Sequence, residues 1–376
     1  DLGNVALVPW VITAFLATSA IAAIAAGPVI DAVGVRRTFR ITGIWFLATS
    51  AAAAVAPTMP LLVAARVLQG FGGGLVIAVA LSSVGLAYPH RLRPRAFAVN
   101  SMVWGTMGFG GPALAAALLA VGDWRLIFVV QLPLTAIALA MGWNTLPSTK
   151  ERPEALHVDG VGIALLAGLI IASLVAVAQI GVRWWLVGGA VAVAFGLGAV
   201  YWAHSGRSAE PVLARSHLTR FPLNRIHLTS GLVLIAGLAA DNYLPLYVRT
   251  ARGRSEALAA FSVVPLTVGW TAASFLASRA LDRRSEAEVI LAGALLIVPA
   301  CGVAGIGVAL EWPLGALFAI YFSVGLAIGL ISTAGLTLLQ SSSAGAEMGR
   351  ANSSHQFIRT LCILSLIHIS EPTRLQ

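Results

Sequence analysis

Eleven uninterrupted apolar stretches run through this chain, separated by short linkers that hold most of its arginines. Each is about 20 residues or longer, which at 1.5 Å per residue is what a helix needs to cross a hydrocarbon core of roughly 30 Å. That repetition dictates an all-α, polytopic membrane protein. Composition agrees: 58% of the 376 residues are hydrophobic, 10% are charged, 38 are glycine, and the mean hydropathy is +0.88. Glycine and proline at this frequency are compatible with membrane helices, where neighbouring helices re-satisfy the backbone.

The stretches read as spans at 10–29, 38–57, 60–88, 97–121, 125–146, 160–181, 184–203, 226–248, 256–281, 287–309 and 313–339, and a twelfth begins near Arg350. Alternating crossings divide the loops into two sets. One holds 16 basic residues (Arg36, Arg37, Arg40, Arg91, Arg93, Arg95, Lys150, Arg152, Arg207, Arg215, Arg220, Arg225, Arg279, Arg283, Arg284 and Arg350) and the other holds 5 (Arg125, Arg183, Arg249, Arg252 and Arg254). The positive-inside rule places the first set in the cytoplasm. Trp10, Trp124, Trp184, Trp185 and Trp312 then fall at outer ends, and Trp143 and Trp202 at inner ends, where indoles favour the headgroup level. The net charge of +9 would suggest nucleic acid in a soluble protein. Here loop topology accounts for it, and no nucleic-acid partner is expected.

Both ends of the chain look truncated. There is no Met-started signal segment at Asp1, and at least one span is expected upstream. After Ile363 the run from Leu364 to Arg374 is similar to the translation of a transposase-type sequencing adapter. Residues 364–376 are therefore expected to be a non-native tail that interrupts the helix begun at Gly349; the alternative is a genuine short amphipathic tail.

The chain also repeats itself. Asp31 and Asp282 each end a span at an Arg-rich cytoplasmic turn, and 282 − 31 = 251. Gly70 and Gly74 echo Gly325 and Gly329 at a separation of 255. Two echoes at nearly one offset point to two homologous halves, a pattern common in secondary transporters.

At these residues the chain resembles the major facilitator superfamily, most closely its drug:proton antiporter branch with fourteen spans. Gly27-Pro28-Val29-Ile30-Asp31-Ala32-Val33-Gly34-Val35-Arg36-Arg37 is similar to the family's signature loop between its second and third spans. Arg66-Val67-Leu68-Gln69-Gly70 matches its fourth-span signature. Gly105, Gly108, Gly111 and Pro112 resemble the antiporter signature, with Ala115 and Ala116 where a glycine pair is usual. The resemblance implies two helical bundles around a central cavity. It divides the chain into an N-terminal bundle at 1–146 lacking its first span, an extra pair of spans with linkers at 147–225, and an incomplete C-terminal bundle at 226–363.

Asp31, with Arg36 and Arg37 a turn or so later, can form a charge-assisted latch against a neighbouring helix that is remade as bundles rock; the alternative is that the arginines only fix topology. Asp282 stands at the corresponding turn, Gly34 permits the sharp bend, and Gly27 belongs to the same loop. Gly70, Gly72, Gly73 and Gly74 superficially resemble a phosphate loop, but no Lys follows and the run lies inside a span. Close helix packing is the better reading for Gly70 and Gly74, and for Gly108, Gly111 and Pro112, where Pro112 also adds a bend.

Two ionisable residues lie within spans, Arg66 and Asp241, each roughly 10 Å from the outer end at 1.5 Å per residue. A charge there costs on the order of 2.5 to 3.5 kcal/mol at the centre, so such residues are usually functional. They are expected to face the cavity from opposite bundles and to couple transport to protons, with Gln69 and Asn242 beside them. The alternatives are structural hydrogen bonding for Arg66 and a hydrated outer mouth for Asp241. Glu256, after Ser255, is placed to cap a helix.

No nucleophile–base constellation, nucleotide motif or metal-ligand spacing occurs, and Cys301 and Cys362 lie far apart in apolar stretches. No enzymatic activity, cofactor or metal is expected. The expected function is proton-coupled efflux of small amphipathic or apolar compounds by a monomer in the bilayer, with protons and a small-molecule substrate as partners. Arginine outnumbers lysine 23 to one, which fits a GC-rich bacterial genome and the bacterial cytoplasmic membrane. Alternatives are an importer or uniporter on the same fold, and a non-transporting membrane sensor or scaffold, against which the short cytoplasmic loops count.

Overall fold

The computed structural model describes residues 7–148, 159–179, 182–343 and 348–370, and among them the regular structure is helical. In order these are α1 (Val8–Val33), α2 (Val35–Ala54), α3 (Met59–Ala87), α4 (Arg93–Val121), α5 (Leu126–Val129), α6 (Gln131–Gly142), α7 (Gly160–Ala178), α8 (Trp184–Ser205), α9 (Arg215–Thr219), α10 (Leu223–Leu246), α11 (Glu256–Phe261), α12 (Val264–Ala280), α13 (Glu286–Ala309), α14 (Leu314–Ser341) and α15 (Met348–Ser370). Within the described residues every expected span falls on one or two helices, which is what a setting where lipid offers the backbone no hydrogen-bond partner demands.

Six of the described helical segments are long and apolar enough to cross a membrane: Trp10–Val33, Met59–Ala87, Trp184–Ser205, Glu256–Ala280, Glu286–Ala309 and Leu314–Ser341. A bent pair, His90–Gly108 with Ala113–Val121, makes a seventh. Its 44° bend brackets Gly111 and Pro112. Leu126–Gly142 and Gly160–Ala176 are shorter apolar helices. Two expected spans are interrupted, 125–146 after Val129 and 256–281 after Phe261. In each case a proline, Pro133 or Pro265, lies four residues beyond the last residue of the first segment. Proline has no N–H, so the carbonyl at that residue loses its i→i−4 donor and the ladder breaks there.

The interruption expected after Ile363 is not observed. Helix α15 continues to Ser370, a run without proline before Pro372 in which Leu364 and Leu366 are strong helix formers.

The helices gather into two compact units. The first comprises 1–87, 115–220 and 343–368; the second comprises 88–114, 221–342 and 369–376. Within the first unit α3 packs on α1 and α2, α2 packs on α6, and α7 packs on α8 and α1. Within the second unit α14 packs on α12, α13 and α10. The two tightest seams are built alike. A Cβ on Gly70 would overlap the backbone of Phe15, and one on Gly74 would overlap that of Ser19. A Cβ on Gly325 would meet Leu266, and one on Gly329 would meet Trp270. Since 266 − 15 = 251 and 270 − 19 = 251, the α12–α14 seam repeats the α1–α3 seam residue for residue.

A Cβ on Gly105 would meet the Thr271 side-chain hydroxyl of α12 rather than backbone, whereas Gly108 is only in ordinary contact with Thr267. Gly111, expected at a helix contact, has nothing within 4 Å of a Cβ position, so among the described residues it packs against no neighbour. The Pro112 side chain lies outside the described residues. Gly74→Ala should accordingly lower the stability of the α1–α3 seam by about 1 to 3 kcal/mol through overpacking, while Gly111→Ala should not. Gel filtration of the detergent-solubilised protein after graded heating would show the difference, and equal losses would disprove it.

Side-chain caps occur at the starts of α11 and α13. Ser285 and Glu288 form a capping box at α13. Ser255 Oγ accepts the Leu258 N–H at α11 (3.3 Å), while Glu256 pairs with Arg249 at 2.6 Å rather than capping.

Candidate functional site

The polar centre of the first unit forms around Arg66 on α3. Its Nε donates to the Val11 carbonyl of α1 (2.9 Å) and its Nη1 to Gln69 Oε1 (2.5 Å). Gln69 is fully buried and passes the connection on, its Nε2 donating to Ser50 Oγ of α2 (2.7 Å) and to Gln131 Oε1 of α6 (2.8 Å). Gln131 Nε2 donates in turn to the Ile127 carbonyl of α5 (3.2 Å). The guanidinium also lies 4.1 Å from the Phe15 ring centroid and 5.7 Å from that of Phe128, close enough for cation–π attraction.

This arrangement satisfies both the oxygen and the nitrogen of the Gln69 amide. Among the described residues no carboxylate pairs with Arg66. A charge held in apolar surroundings by dipoles and ring faces alone is poised to attract an anion or a carboxylate. Asp241 and Asn242 lie on α10 of the second unit, and their side chains fall outside the described residues.

A second polar site lies at the C-terminal end of α1, the expected cytoplasmic end. Asp31 accepts the N–H groups of Gly349 (3.0 Å) and Arg350 (3.2 Å), in the first turn of α15, and its carboxylate lies 4.0 Å from Arg350 Nε. A carboxylate satisfies the orphan N–H groups of a helix start and the positive end of its dipole at once. Two glycines make the approach possible: a Cβ on Gly27 would lie 2.8 Å from Arg350 Cα, and one on Gly349 would lie 2.8 Å from the Gly27 carbonyl oxygen. Gly34 then turns the chain into α2 with φ +88°, the left-handed region that favours glycine.

Arg36 and Arg37 do not join Asp31. Beyond the Gly34 turn Arg36 Nε donates to the Leu146 carbonyl (2.6 Å), and Arg37 is exposed. Arg40, four residues past Arg36, reaches the Trp143 carbonyl (2.6 Å) and lies 4.6 Å from the Trp143 ring centroid. The arginines thus terminate α6, which is where cations interact well with exposed carbonyls.

The second unit holds a weaker copy of the Asp31 contact. Asp282 pairs with Arg95 at 3.2 Å, beside His90 paired with Glu286 at 3.2 Å. Position 350 − 255 = 95, so Arg95 corresponds to Arg350 as Asp282 corresponds to Asp31. Position 349 − 255 = 94 is Pro94, which has no N–H to give, and position 27 + 251 = 278 is Ser278 where the first unit has Gly27. Asp282 is accordingly 44% exposed and Asp31 13%.

At the expected outer face, Arg125 donates to Asp123 (2.7 Å) and to the Ala56 carbonyl (3.1 Å), and this hydrogen bond holds the Asp123 carboxyl below the usual carboxylate range. The residues that the sequence reading missed are Ser50, Gln131, Gly349 and Arg350 as a ligand. Gln131 carried a signal, being an uncharged polar residue inside an apolar span at about the depth of Gln69. Gly349 carried none.

Comparison with known proteins gives these sites their setting. The family model described as Major Facilitator Superfamily matches residues 1–365. The chain is 29% identical over 278 residues to the uncharacterized transporter YebQ of Escherichia coli (strain K12), covering 73% of this chain and 60% of YebQ. It is also 29% identical over 341 residues to the probable multidrug-efflux transporter Rv1634 of Mycobacterium tuberculosis (strain ATCC 25618 / H37Rv), covering 88% of this chain and 72% of that one. In fold it is similar to the human organic anion transporter MFSD10, with a TM-score of 0.69 at 16% identity over 96% of this chain and 76% of that one. The chain thus spans about three fifths of the length of YebQ. Its repeated helix seams, its Asp31 and Asp282 turns and the match along nearly its whole length lead to one conclusion: the chain belongs to the major facilitator superfamily of membrane transporters.

Proposed function

We propose that this protein is a proton-coupled exporter of small, weakly polar compounds in a bacterial cytoplasmic membrane, working by rocking of two bundles. The observation that carries the proposal is Arg66. An arginine held by Gln69, the Val11 carbonyl and two aromatic rings, without a described carboxylate, has a strength of interaction that changes with the protonation of any acid brought to it. Asp241 is the acid within the spans that suits this role, with Asn242 beside it. An interior poor in charge favours weakly polar substrates, and the name of the mycobacterial relative, a probable multidrug-efflux transporter, agrees.

In the cycle, the Asp31 contact with the first turn of α15 holds one access state, and its release permits the other. The Asp282–Arg95 pair has the same part in the second unit, with less hold. The driving force is about 2.3 kcal/mol per charge per 100 mV, plus about 1.4 kcal/mol per pH unit.

The test is efflux from proteoliposomes carrying the full-length protein and a fluorescent amphipathic cation. Imposing a pH gradient should accelerate substrate movement against its own gradient, and substrate addition should dissipate the pH gradient. Movement only down the substrate gradient, indifferent to pH, would identify a uniporter and overturn the proposal.

A further inference from the structure

The linker between α8 and α10 is fastened to the first unit at four points, more than a passive connection requires. Val212 N–H donates to Asp159 Oδ2 (3.4 Å), and the other carboxylate oxygen of Asp159 caps α7 at the Gly162 N–H (2.8 Å) and meets His204 Nε2 of α8 (2.7 Å). The Tyr201 hydroxyl of α8 both accepts the Leu213 N–H and donates to the Leu213 carbonyl, each at 2.9 Å. Val212 and Leu213 are buried against Ala20 and Ile24 of α1, Ile170 of α7 and Phe357 of α15. His217, on α9, meets Ser354 Oγ of α15 at 2.9 Å, and both side chains are buried.

The fourth point touches the cytoplasmic contact itself. Glu210 Oε2 lies 2.6 Å from Arg350 Nη2, so one guanidinium stands between Glu210 of the linker and Asp31 of α1. Arg350 is 25% exposed at its side chain and Glu210 47%, a geometry in which an ion pair holds position more than it adds stability. Its place decides its effect: fixing Arg350 fixes the first helical turn whose N–H groups Asp31 must meet.

We infer that residues 205–219 form a strap, anchored on the α7–α8 pair, whose Glu210 is a positioning residue that holds Arg350 for Asp31 and so sets how readily α15 parts from α1 and α3. The inference rests on the rocking-bundle reading, in which that contact opens and closes. The α7–α8 pair then serves as the fixed post from which the strap restrains α15.

The experiment reads opening directly, in membranes containing the full-length protein with Cys301 and Cys362 replaced by alanine and Ser82→Cys as reporter. Ser82 is fully buried, with Asn352 Nδ2 of α15 at 3.5 Å from its Oγ, so a cysteine there reacts with a water-soluble maleimide only when α15 has moved. Asp31→Asn should raise the labelling rate about tenfold. Glu210→Gln should raise it about threefold, the equivalent of about 0.6 kcal/mol, and Glu210→Asp should restore most of the parent rate. An unchanged or slower rate in Glu210→Gln, with Asp31→Asn responding, would overturn the inference and leave the linker a plain tether. Because labelling needs no substrate, a threefold rise without any measurable efflux would leave the strap standing and count only against the exporter reading.

Discussion

Arg66→Ala is expected to abolish proton-driven efflux, with at least a hundredfold loss of flux at equal abundance, while equilibrium binding of substrate changes little. The substitution removes the one described charge of the Arg66–Gln69–Gln131 network and leaves Gln69 Oε1 and the Val11 carbonyl without their donor. An unpaired buried acceptor costs about 1 to 3 kcal/mol, so some loss of stability accompanies the change. Abundance and thermal stability in detergent therefore have to be measured beside flux. Arg66→Lys separates the two effects, because lysine keeps the charge but loses the planar fork that serves Val11 and Gln69 together and the face that lies on Phe15. If charge is what coupling needs, Arg66→Lys should keep measurable proton-dependent flux, about a tenth of the parent, where Arg66→Ala keeps none.

Asp241→Asn is the companion measurement and should uncouple substrate movement from the pH gradient. Proton-driven efflux at parental rates in Arg66→Ala would end the coupling role of Arg66 whatever Asp241 does. Loss of flux matched by loss of folded protein would return the network to a structural part.

The helices and the repeat were legible in the chain for a plain physical reason. A membrane helix announces itself by composition over about 20 residues, and an offset of 251 between Asp31 and Asp282 needs no knowledge of contacts. Gly70 and Gly74 were legible as packing glycines because a Cβ is unwelcome wherever two backbones touch. Contacts at long range were not. Asp31 finds its partner 318 residues away, at a glycine whose neighbourhood in the sequence says nothing of a carboxylate. Arg36 illustrates the same limit from the other side. Proximity in sequence grouped it with Asp31 in one loop facing a neighbouring helix, but beyond the left-handed turn at Gly34 it donates to the Leu146 carbonyl while Asp31 meets α15. Gly111 shares its spacing with Gly105 and Gly108, but among the described residues nothing lies within 4 Å of its Cβ position, and the helix bends by 44° around it.

Asp31→Asn should lower transport about tenfold while insertion and abundance stay near parental. The carboxylate makes two charge-assisted hydrogen bonds to the Gly349 and Arg350 N–H groups and faces the Arg350 guanidinium. An asparagine offers one oxygen, turns an NH2 toward the second N–H, and gives up the attraction to the helix dipole. These losses together amount to about 1 to 3 kcal/mol. Asp31 stands in the last turn of α1, at the end of its apolar run, so the change acts on the balance between access states rather than on folding. Asp282→Asn supplies the control within the same molecule. Pro94 cannot donate where Gly349 does, and the Asp282–Arg95 pair is largely exposed, so removing that charge should change flux by no more than about twofold. Flux and abundance measured together in the two variants decide the matter. Unchanged flux in Asp31→Asn would remove the latch. An equal, large loss in Asp282→Asn would mean that charge at the cytoplasmic turn matters, and that the two backbone donors of α15, which only Asp31 has, do not.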